Sequence, residues 1–113
     1  MLPLGLSIVL LAASCSSKSA STAELKPPTA SEEHGERLYK SSCAACHRAD
    51  SKDPLNGPGM KGIFSAKFLP SGAPANDERV HEVIVRGRRN MPAMGQIYDE
   101  SQIRDIIAYL HRL

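Results

Sequence analysis

The sequence predicts a small all-α domain of three to four helices, and three observations support this prediction. Apolar side chains recur at helical spacing near the C-terminus, at Ile103, Ile106, Ile107 and Leu110. Residues that favour helix N-termini precede each candidate helix. No stretch shows the sustained alternation of apolar and polar residues that is typical of half-buried strands. A length of 113 residues is that of a single domain.

The N-terminal stretch predicts export. Residues 2–13 form an apolar run that is too short for a bilayer span of about 20 residues but fits the hydrophobic part of a secretory signal. Small residues then lead to Cys15, as in a bacterial lipoprotein signal, whose cysteine is lipidated. We therefore expect a signal peptide over residues 1–14, lipidation at Cys15, and a lipid-anchored protein in the periplasm or on the outer face of a bacterial membrane. The alternative is an ordinary signal cleaved near Ala13, with Cys15 free.

Residues 15–30 are rich in Ser, Ala, Thr and Pro and lack an apolar period, which predicts a flexible tether. The folded domain is then expected over residues 31–113. Its first helix should begin at Ser31, a good N-cap followed by two glutamates. Gly35 and Tyr39 lie four residues apart and share a face of this helix, where the glycine indicates close approach of another helix.

The stretch Cys43-Ala-Ala-Cys46-His47 has the C-x-x-C-H spacing of a c-type haem attachment site. On a helical turn the two thiols and the imidazole share one face, so that they can hold a porphyrin by its edge and by its iron. A covalent haem would also supply core to a domain that is poor in aromatic residues. A Cys/His metal site or a disulfide without haem is the alternative.

The remaining elements follow in order. Residues 48–74 are rich in Gly, Pro, Ser, Asp and Asn, and such a long irregular segment would wrap the haem edge. A second helix is predicted over residues 77–86, capped by Asn76 and ended by Gly87. Asp99 and Gln102 form a capping-box-like start for the last helix.

Two methionines are candidates for the sixth iron ligand. Met91 and Met94 lie in a glycine-bounded loop after the second helix, and a thioether ligand favours ferrous iron and raises the reduction potential. An isolated methionine more often fills a gap in a core. The histidines outside the motif are expected at the surface or at helix ends and not on the iron; they are His34, His81 and His111.

From Ser31 to Leu113 the chain resembles the class I c-type cytochromes. The resemblance combines the C-x-x-C-H motif, the loop Asn56–Phe64, the loop Asn90–Met94 and the terminal Ile106–Leu110. It implies one covalently bound haem c enclosed by the helices, with the first and last helices crossed so that Gly35 and Tyr39 meet Ile106 and Tyr109. It also implies site roles: thioether bonds at Cys43 and Cys46, His47 and Met91 as axial ligands with Met94 as the second choice, and Pro58 and Tyr39 in the haem surroundings.

The resemblance implies a one-electron carrier that is not an enzyme, has no small-molecule substrate, and exchanges electrons with membrane or periplasmic protein partners. A formal net charge of +2 is too slight to suggest nucleic acid. The group Arg86, Arg88 and Arg89 is either solvated surface or a positive collar that steers an acidic partner. Two alternatives remain open: a haem subunit fixed in a larger dehydrogenase or oxidase complex, and a haem-based ligand sensor or small peroxidase-like enzyme.

Overall fold

The computed structural model describes residues 25–113. Three α-helices occur in this range: α1 (Ala30–Ser42), α2 (Asp77–Arg86) and α3 (Glu100–Leu110), with short 3₁₀ turns at Ile63–Ser65 and Met94–Gln96. Across residues 25–113 the only β-type pairings are two isolated bridges, so the predicted all-α class is confirmed.

No helix in the described range is long and apolar enough to cross a membrane. The predicted signal peptide, Cys15 and the first part of the predicted tether lie outside the described residues.

Helix α1 begins earlier than predicted, and the N-cap assigned to Ser31 is wrong. The cap is Thr29, whose hydroxyl accepts from the Glu32 amide at 3.2 Å while its own amide donates to the Glu32 carboxylate at 2.6 Å. This reciprocal capping box satisfies two backbone donors at once. The Ser31 hydroxyl instead donates to the carboxylate of Asp105 in α3. The helical domain therefore overlaps the predicted tether at Thr29 and Ala30.

The other two helices begin where the sequence predicts. Asn76 caps α2 by accepting from the Arg79 amide at 3.0 Å, and Gly87 follows its last residue. Asp99 and Gln102 form the predicted capping box of α3, with bonds of 2.9 and 3.0 Å.

Close packing of α1 against α3 forms the centre of the domain. A Cβ atom placed on Gly35 would overlap the carbonyl oxygen of Asp105, so only glycine permits this approach. Tyr39 and Tyr109 meet nearby, with ring centroids 5.3 Å apart. The predicted contact between the first and last helices is therefore present. The buried core around it consists of Tyr39, Ile63, Val80, Ile84, Met94, Ile103, Ile106, Ile107 and Leu110.

Candidate haem site

The C-x-x-C-H motif forms a turn that continues from the end of α1. Cys43 is the C-cap of α1, and its carbonyl accepts from the amides of Cys46 at 3.0 Å and His47 at 2.9 Å. The buried Tyr39 hydroxyl donates to the His47 carbonyl at 2.7 Å, and burial raises the pKa of that phenol. A protonated phenol therefore ties the motif to the core, and Tyr39 acts on the site through the backbone of His47.

The His47 ring is held by one hydrogen bond that decides which of its nitrogens can bind a metal. Its Nδ1 lies 2.9 Å from the carbonyl oxygen of Pro58. A carbonyl can only accept, so Nδ1 carries the proton and donates. In the neutral ring, Nε2 then presents a lone pair, and no group in residues 25–113 hydrogen-bonds to it. This is the arrangement in which a backbone carbonyl orients a metal-binding histidine and raises its basicity.

Gly57 makes room for the ring of His47. A Cβ atom at this position would lie 2.5 Å from Cε1 and 2.9 Å from Nδ1 of that ring. The Gly57 amide donates to the Cys46 carbonyl at 2.8 Å, which turns the chain back beneath the motif. The sequence indicates a turn here. It does not show that Gly57 makes room for the His47 ring, because that contact arises only when the loop folds back against the motif.

The two thiols are free and partly buried. Burial, with Cys46 nearby, raises the pKa of the Cys43 thiol to about 11, so this sulfur is protonated at neutral pH. Within the described residues no three His, Cys, Asp or Glu side chains converge in a way that could hold a metal ion. Two free thiols beside an oriented imidazole fit a covalently attached haem better than the alternative of a zinc or thiolate site.

The two methionines occupy different environments. Met94 begins the second 3₁₀ turn and is 5% exposed within the protein core. Met91 is only partly buried and packs against the edge of that core. Its amide donates to the Arg88 carbonyl at 2.9 Å, and its carbonyl accepts from the Arg88 amide at 3.1 Å. Met91 is therefore the last residue of a tight turn that begins at Arg88.

Each histidine outside the motif contacts a carboxylate on another element. His34 of α1 lies 2.7 Å from Asp105, His81 of α2 lies 2.9 Å from Glu100, and His111 lies 2.7 Å from Asp77. These pairs link the helices. That the three histidines are not iron ligands stays a prediction. No signal in the sequence predicts these pairs, because they depend on how the helices align.

The arginine group is exposed. Arg86 reaches Glu82 at 3.4 Å, whereas the side chains of Arg88 and Arg89 make no salt bridge within residues 25–113. Both belong to the turn that ends at Met91.

The chain is similar in sequence to known proteins. The family described as cytochrome c oxidase, cbb3-type, subunit III matches residues 30–110. Cytochrome c-551 of Bacillus subtilis is 31% identical over 97 residues, covering 81% of this chain and 77% of the relative. Cytochrome c6 of Diacronema lutheri is 22% identical over 77 residues, which is 68% of this chain and 89% of that protein.

A larger relative matches only in part. The cytochrome bc1 complex cytochrome c subunit of Mycobacterium tuberculosis is 32% identical over 78 residues, 67% of this chain. The chain spans only 25% of that relative's length.

These matches agree with the free thiols and the oriented imidazole. Covalently bound haem c is the cofactor of these proteins, as predicted for this chain. Cytochromes of this type are electron-transfer proteins, in agreement with the prediction that the chain is not an enzyme. The chain therefore belongs to the monohaem class I c-type cytochromes.

Proposed function

We propose that this protein is a one-electron carrier that passes electrons between protein partners, with no small-molecule substrate. The observation that supports this most strongly is the fixed orientation of His47. Its Nδ1–H is occupied by the Pro58 carbonyl at 2.9 Å, and its Nε2 is left for iron beside the two free thiols. Bound haem c supplies a metal that cycles between ferric and ferrous states.

The residues of the chain would hold the group rigid during that cycle. Cys43 and Cys46 would attach the porphyrin edge, and His47 would ligate the iron. Tyr39 and Pro58 fix the backbone and the ring of His47 through bonds of 2.7 and 2.9 Å. Because these contacts connect to the buried core, little needs to rearrange when charge changes, which suits electron transfer.

We assign the sixth ligand to Met91. Met94 is enclosed by core side chains at 5% exposure, so turning its sulfur outward would open a cavity. Met91 is partly buried, and both its backbone groups are held by Arg88. The resemblance favours the methionine that directly precedes proline, which is also Met91.

Two substitutions test this assignment. With the haem attached, Met91→Ala should abolish the weak red absorption band of a ferric–thioether bond and leave a high-spin or water-ligated iron. Met94→Ala should keep the band and lower the free energy of unfolding by about 2–5 kcal/mol, because it leaves a cavity. Absorption spectra and denaturant titrations of the two variants measure both effects. Loss of the band in Met94→Ala alone would contradict the assignment.

We further propose that Cys15 carries lipid and that residues 15–28 tether the domain to a membrane outside the cytoplasm. Two features of the sequence support this: the apolar run over residues 2–13, and the position of Cys15 outside the C-x-x-C-H motif that contains the other two cysteines. Mass spectrometry of the protein from membranes tests it: the N-terminal peptide should begin at acylated Cys15. An unmodified peptide that begins near Ser14 would contradict lipidation.

Arg88 and Arg89 support an acidic docking partner, since both are exposed in the Met91 turn and neither is paired with a carboxylate in residues 25–113.

A second candidate function is a haem subunit fixed in a larger complex, which the similarity to bc1 complex cytochrome c subunits favours. Purification under mild detergent separates the two. A carrier should be recovered alone, and a fixed subunit should remain with its complex.

A further inference from the structure

The turn that holds Met91 contains an unusual backbone conformation. Arg89 has φ of +53° and is the only non-glycine residue with positive φ among residues 25–113. An L-residue with a Cβ atom is strained in this region, which glycine and, to a lesser degree, asparagine tolerate. Hairpin turns normally place glycine or asparagine at such a position.

No side-chain contact compensates for this strain. The Arg89 side chain is exposed and makes no hydrogen bond or salt bridge with the rest of the described chain. The strain therefore persists because the surrounding backbone enforces it.

The enforcing contacts are those that place Met91. The two hydrogen bonds between Arg88 and Met91, at 2.9 and 3.1 Å, close the turn over Arg89. On the other side, the Met91 carbonyl and the backbone of Pro92 and Ala93 lie against Gly87, where an added Cβ would be 2.5–2.8 Å from them. Movement of Met91 out of this position would break the two hydrogen bonds to Arg88 and would free Arg89 to adopt a negative φ.

We infer that Arg89 is a positioning residue whose strain makes Met91 easier to displace from the iron. This inference rests on the proposed role of Met91 as the sixth ligand. The exchange it governs is a plain ligand substitution: the Met91 sulfur leaves and an incoming nitrogen base binds, with no electron or proton transferred. A strained turn favours the displaced state by the free energy released at Arg89.

Titration of the ferric protein with imidazole tests the inference, followed by the loss of the red thioether band. Arg89→Asn and Arg89→Gln form a matched pair, because both remove the charge and both introduce a neutral amide. Only asparagine tolerates positive φ. Arg89→Asn should bind imidazole about threefold to tenfold more weakly than Arg89→Gln.

Equal imidazole affinity in the two variants, or tighter binding by Arg89→Asn, would overturn the role of Arg89 even if the variants differ in resistance to unfolding. A merely structural residue would change unfolding without changing this affinity. If Met91→Ala retains the red band, the ligand assignment itself is wrong, and the inference fails with it.

Discussion

At the scale of single residues, Gly87 decides whether the Met91 loop can close. Its φ is +70°, and a Cβ atom there would meet the Met91 carbonyl oxygen at 2.5 Å and the Ala93 nitrogen at 2.8 Å. These neighbours are backbone atoms, which cannot rotate away as a side chain can. The loop must shift if any side chain is added.

On the proposed role of Met91 as the sixth ligand, Gly87→Ala should displace it from the iron. We expect the red thioether band to weaken or vanish and the affinity for imidazole to rise by about tenfold or more, since overpacking costs about 1–3 kcal/mol. Gly72→Ala is the matched control. Gly72 also has positive φ, +85°, but an added Cβ would meet no atom within 4 Å. An equal response in Gly72→Ala would contradict this account, because a Cβ atom at Gly72 contacts no part of the Met91 loop.

At the scale of helices, the close approach of α1 and α3 depends on Gly35. Alanine is the better helix former by about 1 kcal/mol, so propensity alone predicts that Gly35→Ala is stabilising. Contact with the Asp105 carbonyl predicts the opposite. We expect Gly35→Ala to lower the free energy of unfolding by about 1–3 kcal/mol in denaturant titrations. Ser101→Ala, at an exposed position of α3, should change it by about 0.5 kcal/mol or less.

The same pair of helices is joined by a polar cluster that should respond to acid. The hydrogen bond from Ser31 is the main cause that lowers the pKa of Asp105 below its usual 3.8; partial burial opposes it, and His34 assists. A carboxyl group whose pKa falls on folding stabilises the protein above its unfolded-state pKa. That stabilisation is lost as the pH falls through the folded-state pKa.

Asp105→Asn should therefore lower the thermal midpoint at neutral pH, with a loss of about 1 kcal/mol. The difference in stability from the unsubstituted protein should close as the pH falls below 3.8. Circular dichroism melts across this range measure it. Ser31→Ala removes the hydrogen bond that is the main cause of the lowered Asp105 pKa, and it should lower the thermal midpoint by a smaller amount. A difference in thermal midpoint between Asp105→Asn and the unsubstituted protein that grows as the pH falls would contradict this account of Asp105.

At the scale of the whole molecule, local signals predicted most of the fold. Caps such as Asn76 and Asp99 and the apolar stripe from Ile103 act within one or two helical turns, so the sequence alone places α2 and α3. The C-x-x-C-H motif is equally local. The choice of Thr29 over Ser31 as the first cap was missed because Ser31 has a competing partner 74 residues away in α3.

The parts of the site that sequence reasoning missed all depend on tertiary structure. Gly57 matters because a loop brings it under His47, and Gly87 matters because Met91 folds back upon it. The positive φ of Arg89 cannot be predicted from the sequence, since arginine rarely adopts it. Each of these residues needs a neighbour that is defined only in the folded chain.

On the proposed assignment, His47 and Met91 hold one haem iron in both oxidation states for electron transfer. A redox titration followed by absorption, on protein made in cells that attach c-type haem, tests it most directly. We predict a single one-electron transition, low-spin bands in both states, the ferric thioether band, and no change with carbon monoxide. A high-spin ferrous spectrum that shifts on adding carbon monoxide would contradict the claim and favour a ligand sensor or a peroxidase-like enzyme.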